Sequence, residues 1–407
     1  MKFREYQLRI IHHATCILKK YGFVYLAMEV RTGKTFTSLG ICANTEIRKV
    51  LFVTKKKAIS SIQNDYDNLG PDFDITIINY ESLHKIKDRY ECIILDEAHS
   101  MGAFPKPSKR AKEAYRLVSA SKCKVILLSG TPTPESYSQI YHQVYSIPNN
   151  PFSRYKNFYR FCDDHVNVVE RKINSLYIRD YSRAKDTVMD AMKPYLLSFT
   201  QAQAGFKVKT KEQILEVTMR PVTYRFIKQL KKNLVVEGTN EVILGDTPRK
   251  LMTKLHQMYS GTIKFESGNS MILDTSKAEY IYDYFQGEKI GIFYVFKEEY
   301  NALKEIYGEQ LTTELEEFNK TDKSIALQIV SGREGISLRK AVHLVYFNID
   351  FSATSYWQSR DRMTTKDRLK NNVYWIFAKD GIENEIYKAV IKKKDYTLSH
   401  FKKDFLN

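Results

Sequence analysis

Acidic residues are in short supply: 47 Asp and Glu stand against 64 Lys and Arg, a formal net charge of +17. The first candidate partner for such an excess is a polyanion, the second an anionic membrane surface. Long apolar runs are missing too. There is no stretch approaching the roughly 18 residues of a membrane span and no basic amphipathic anchor, which excludes the membrane reading. The chain is charged from Lys2 onward and lacks the apolar stretch of a signal peptide. Cysteine is sparse: Cys16, Cys42, Cys92, Cys123 and Cys162 stand singly, with no CxxC pair. A cysteine-based zinc site or disulfide framework is therefore not expected, and reduced thiols in a cytosol are. No internal repeat or low-complexity tract is present. What remains, at 43% hydrophobic and 27% charged, is the balance of a soluble globular chain. Its 407 residues suit two domains rather than one.

Short, nearly continuous apolar runs at 23–28, 49–53, 74–78, 91–95 and 124–128 predict parallel strands covered on both faces. Helical stretches at 35–43, 57–68 and 108–119 separate them, which is a doubly wound α/β pattern. From 135 to about 285 the chain reads mainly as helices and loops. The alternation then resumes, with strands at 289–296, 324–330, 343–349 and 373–377 and helices near 298–306, 352–362 and 382–392. The expected organisation is a first α/β domain over 1–150, a mostly helical intervening region over 151–270, and a second α/β domain over 271–407.

The run MEVRTGKT at 28–35 follows a predicted strand and opens a predicted helix, the setting of a phosphate-binding (Walker A) loop. Amides at the helix start and the helix dipole favour phosphate. Lys34 would reach the β- and γ-phosphates, and Thr35 would offer a hydroxyl to Mg²⁺. The first glycine of the usual pattern is Met28 here. Further on, CIILDEAH at 92–99 ends an apolar strand in two acids. Asp96 could hold Mg²⁺ and Glu97 could orient and deprotonate a water. A third strand runs into SGTP at 129–132, where Ser129 and Thr131 could carry hydroxyls from the nucleotide to a moving part.

GKT at 33–35, DEAH at 96–99 and SGTP at 129–132 together resemble helicase superfamily two, ATP-driven nucleic-acid motors with two RecA-like domains. FREYQ at 3–7 is similar to that family's adenine-reading segment. LFVTKKK at 51–57 and NYESL at 79–83 resemble its nucleic-acid-contacting segments. VSGREGISL at 330–338 is similar to the Gly-rich coupling motif, and YWQSRDR at 356–362 to the last motif. Segments at 151–158, 192–197 and 275–278 resemble the Swi/Snf-like branch, in its compact bacterial or bacteriophage form with a DEAH box.

The resemblance implies an ATP hydrolase that couples turnover to movement on DNA in a bacterial or phage-infected cytoplasm, with ATP and Mg²⁺ as cofactors. It implies ATP contacts from Arg4, Gln7, Thr32, Gly33, Lys34, Thr35, Gly335 and Arg360, metal contacts from Thr35 and Asp96, and catalytic roles for Glu97, Gln358 and Arg362. His99, Ser129 and Thr131 would couple the nucleotide to motion, and Thr54, Lys55, Tyr80, Ser331 and Gly332 would touch nucleic acid. Family members carry Arg four and seven residues after the Gln. Arg362 meets the first position and Thr365 stands at the second, so Arg360, Arg362 and Arg368 all stay open as the γ-phosphate arginine. An RNA-remodelling ATPase and a nucleotide-gated binding protein without motor activity remain as alternatives.

Overall fold

A computed structural model describes residues 2–173, 176–238, 240–332, 336–365 and 368–392. The chain divides into two compact units, Met1–Phe206 and Lys207–Asn407.

The first unit is built on a six-stranded parallel sheet. Its strands are β1 (Phe23–Met28), β2 (Lys49–Thr54), β3 (Asp74–Asn79), β4 (Cys92–Leu95), β5 (Lys124–Leu128) and, after a hairpin of β6 (Val169–Ile173) and β7 (Leu176–Asp180), β8 (Leu196–Phe199). Their spatial order is β3-β2-β4-β5-β1-β8. Alternate residues feed two separate cores. Val24, Leu26 and Met28 pack with Ile11, Leu18 and Leu39 on one face. Phe23 and Tyr25 pack with Leu117, Ile140 and Phe161 on the other. Burial on both faces is why these strands read as continuous apolar runs rather than alternating ones. Each fully buried large apolar side chain contributes about 1.5–3 kcal/mol relative to exposure.

The second unit repeats the plan. Its strands are β9 (Lys209–Val217), the small hairpins β10 (Val235–Glu237) with β11 (Val242–Leu244) and β12 (Thr262–Lys264) with β13 (Ser270–Ile272), then β14 (Ile290–Tyr294), β15 (Leu311–Thr312), β16 (Ser324–Gln328), β17 (His343–Tyr346) and β18 (Lys370–Ala378). The six-stranded sheet is again parallel, in the order β15-β16-β14-β17-β18-β9. The architecture is thus the expected pair of doubly wound parallel-sheet domains.

Residues 151–270 differ from the mostly helical expectation. They supply β8 to the edge of the first sheet, β9 to the edge of the second, and three hairpins. β9 reads KTKEQILEV, with Lys, Glu and Gln interrupting its apolar positions. An edge strand pairs on one side only, so it lacks the apolar signature of a central one.

Among the described residues no helix is long and apolar enough to cross a membrane. All five cysteines are free thiols.

Candidate active site

β1 ends at Met28, and the helix Lys34–Ala43 begins after a loop over 29–33. Met28 is buried in the sheet, paired with Phe199. No glycine is needed there, because the sharp turn falls later, with Arg31 and Gly33 in the left-handed region at φ 65° and 82°. Gly33 is favoured by that φ, which strains other residues, and a Cβ there would come within 2.6 Å of Gln7 Nε2 and displace that amide. The loop is tied internally by Thr32 Oγ1, which donates to Glu29 O at 2.7 Å. From the first helix, Tyr6 OH donates to Thr32 O at 3.0 Å, and Gln7 Nε2 reaches Gly33 O (3.4 Å) and Thr37 Oγ1 (3.3 Å). Arg4 holds both neighbours, its amide donating to Gln7 Oε1 and its guanidinium to Tyr6 OH, each at 3.0 Å. Lys34 Nζ bends back to Glu29 O at 3.5 Å and lies 3.4 Å from the Cβ position of Gly130.

Leu95 pairs with Leu127 and Leu26 with Leu128, so the parallel strands β4, β5 and β1 end side by side, β1 running on to Met28. Their carboxyl ends bring the phosphate-type loop, Asp96–Glu97 and Ser129 to one edge of the sheet, the place where doubly wound sheets hold ligands. Burial, with Glu97 next to it, pushes the Asp96 carboxyl up to about 7, against the lowering effects of the Thr54 hydroxyl and the Lys34 charge. Glu97 adopts φ 49°, a left-handed turn that sets its side chain 3.3 Å from His99 Nδ1. His99 Nδ1 is also 3.0 Å from Ser129 Oγ, which accepts the Thr131 amide at 3.1 Å. Glu97, His99, Ser129 and Thr131 therefore form a continuous polar chain from β4 to the turn after β5.

In the second unit, Ser352 caps the helix Ala353–Ser359 by accepting the Ser355 amide. Gln358 on this helix is buried, and its carbonyl accepts Arg362 Nε at 2.8 Å. Arg360 bonds Glu212 at 3.0 Å, and Arg368 reaches the carbonyls of Arg339, Ala341 and Val342 at 2.8–3.2 Å. Arg360 and Arg368 are thus committed to contacts within this unit.

A family model for the SNF2-related domain matches residues 41–269, more than half of the chain. The chain belongs to the SNF2-related family. A comparison with curated proteins finds no significant match. Among solved structures, the chain is similar to the Sulfolobus solfataricus SWI2/SNF2 ATPase core in complex with dsDNA, at 16% identity and a TM-score of 0.44, covering 99% of this chain and 92% of that one. It is likewise similar to the same organism's SWI2/SNF2 ATPase core domain, at 16% identity and 0.44, covering 97% and 89%.

Three residues of this SNF2-related chain expected at a nucleic-acid surface lie elsewhere. Thr54 is fully buried and donates to Asp96 Oδ2 at 2.8 Å. Tyr80 is buried, donates to Asp96 O at 2.6 Å, and lies beneath the Arg110 guanidinium at 5.2 Å. Both brace the acidic turn: Thr54 because β2 lies beside β4, and Tyr80 because the turn after β3 reaches across β2. Gly332 packs against Phe293 and Leu327, where a Cβ would come within 2.9 Å of both side chains. Lys55 is half-buried. Gly335 and the Ser331 side chain lie outside the described residues.

No local pattern singles out Tyr6 within the FREYQ segment, Phe199 stacked on it at 4.8 Å, or Gln201. The Gln201 amide donates to Glu29 Oε2 at 2.6 Å and its side chain to Val30 O at 3.0 Å, so the segment after β8 holds the loop. That pairing depends on β8 lying beside β1, which no local pattern announces.

Proposed function

We propose that the chain is an ATP-driven DNA translocase or helicase. The observation that carries this reading is the meeting of Lys34, Asp96–Glu97 and Ser129 at the carboxyl ends of three adjacent strands. The triphosphate sits on the amino end of the helix Lys34–Ala43, with Lys34 as the cation on its outer phosphates. Gln7, held over Gly33, reads the base.

Mg²⁺ fits the donor set. Asp96 is a buried acid beside a second acid, and burial with a like charge alongside favours a nearby cation. Among the described residues no group of three or more His, Cys, Asp or Glu forms a cage. That agrees with an ion that takes one or two protein ligands and completes its shell with water and phosphate. Thr35 and Asp96 would hold it, and when bound it neutralises phosphate charge. Glu97 orients the attacking water and takes its proton, while His99 and Ser129 pass the altered charge to the turn at Thr131.

Glu97→Gln tests this directly. The variant is expected to bind Mg·ATP within a few-fold of wild type, because Asp96 and Lys34 are untouched, yet to lose turnover by on the order of 10²-fold or more. A loss of ATP affinity as deep as that of a Lys34 variant would make Glu97 structural instead.

DNA as the track is supported by the +17 charge and the family. Binding should weaken steeply with salt, each neutralised phosphate contributing roughly 0.7 to 0.9 to the slope of log K against log salt, with little dependence on sequence. Titrations of random duplexes between low and physiological salt measure this. A flat salt response, or many-fold preference among duplexes, contradicts a motor that must step over any sequence.

A further inference from the structure

We propose that Glu212 is a positioning residue for the element carrying Gln358 and Arg362, a reading that rests on the ATPase assignment above. Glu212 lies on β9 and its carboxylate is the meeting point of four donors. Tyr356 OH donates to it at 2.8 and 3.0 Å, Arg360 Nη1 at 3.0 Å, Trp375 Nε1 at 2.9 Å and Tyr387 OH at 3.0 Å. The Glu212 side chain is 15% exposed and that of Arg360 21%. The guanidinium of Arg360 also lies over the Trp357 ring at 4.6 Å.

A carboxylate offers about four acceptor sites, so this one is filled. Its donors come from separate elements: the helix Ala353–Ser359 and the turn Arg360–Met363, strand β18, and the helix Glu383–Val390. Tyr356 and Arg360 stand two residues either side of Gln358, and Arg362 Nε is bonded to the Gln358 carbonyl. Fixing Tyr356 and Arg360 therefore fixes the rotation of the turn that presents Gln358 and Arg362.

Stability alone is a poor reason for such a cluster. A buried ion pair can often be replaced by packed apolar residues at little or no loss of stability. What the charged hub adds is direction, since each bond weakens steeply when its angle opens. Catalysis needs that: displacement of a reacting group by about 1 Å can lower a rate by on the order of 10²-fold.

The chain has 2 tryptophans, Trp357 and Trp375, and both belong to this cluster, so intrinsic fluorescence reports on it. The test uses the full chain with duplex DNA and varied ATP, measuring kcat, KM, tryptophan emission and thermal melting for wild type, Glu212→Gln and Tyr387→Phe. For Glu212→Gln we expect kcat to fall by on the order of ten- to a hundredfold, KM for ATP to stay within about threefold, and the emission to shift. KM holds because the phosphate loop belongs to the other unit. Tyr387→Phe removes one donor and leaves the charge, so it should give a smaller loss of the same kind; should Glu212→Gln fail to fold, this variant decides by the same criteria. A folded Glu212→Gln protein with wild-type kcat overturns the inference, and so does a kcat that is unchanged once corrected for the folded fraction. A wild-type chain that hydrolyses no ATP overturns the ATPase reading and this inference with it.

Discussion

Lys34→Ala is expected to leave essentially no ATP hydrolysis, a loss on the order of 10³-fold, together with weakened nucleotide binding. Two effects act in the same direction. The ammonium group, folded back over the loop toward Glu29 O and Gly130, is the cation proposed to meet the outer phosphates. It also lowers the Asp96 carboxyl, which burial and Glu97 already hold up near 7. Removing a neighbouring positive charge disfavours the ionised form, so the Asp96 carboxyl must rise further. At neutral pH more of it is then protonated, and a protonated acid does not hold Mg²⁺. The variant should regain some Mg²⁺-dependent nucleotide binding as the pH is raised from about 7 toward 9, where Asp96 ionises again. Wild type should gain less over the same window. Turnover assays and nucleotide titrations at several pH values check both parts. Full activity in Lys34→Ala would remove this loop from the active site.

Arg362→Ala should leave ATP affinity within a few-fold and cut turnover by on the order of 10³-fold or more, the range a supplied arginine contributes to phosphoryl transfer. In the proposed site ground-state phosphates are held by groups of the first unit, whereas the role of Arg362 counts as charge spreads over the transferring group. The motif alone left three arginines open, and all three make hydrogen bonds within the second unit, Arg362 to the Gln358 carbonyl. Arg368 is used on three main-chain carbonyls and Arg360 on Glu212, both within the second unit. Arg368→Ala should therefore mainly lower the melting temperature. Arg360→Ala should resemble Glu212→Gln, with an intermediate loss of kcat. Arg362 is itself buried, so melting curves must accompany the rates, and Arg362→Lys separates charge from geometry. Lysine keeps the charge without the planar fork and should not restore turnover. If Arg362→Ala stays active while Arg360→Ala or Arg368→Ala fails, the γ-phosphate arginine is the one that fails. If all three stay active, the idea of a supplied arginine is wrong for this chain.

The sequence by itself determined the two doubly wound sheets and the residues of the phosphate-type loop and acidic turn. Both are local. A central strand buried on two faces must be apolar along its whole length, so 23–28 and 124–128 are legible, and their observed bounds, Phe23–Met28 and Lys124–Leu128, coincide with them. GKT and DE are chemistry concentrated within a few residues at strand ends. Tertiary structure alone decided what those residues touch. Thr54 and Tyr80 sit in segments that resemble nucleic-acid contacts, yet the spatial order β3-β2-β4 turns both hydroxyls onto Asp96. Edge strand β9 carries mixed polarity because one side is unpaired, and edge strand β8 is only 4 residues long, so 151–270 hid both Gln201 against the loop and Glu212 beneath the arginine turn. Hydrogen bonds between residues 100 or more positions apart depend on which strands become neighbours, and the pattern of any one strand does not encode its neighbour.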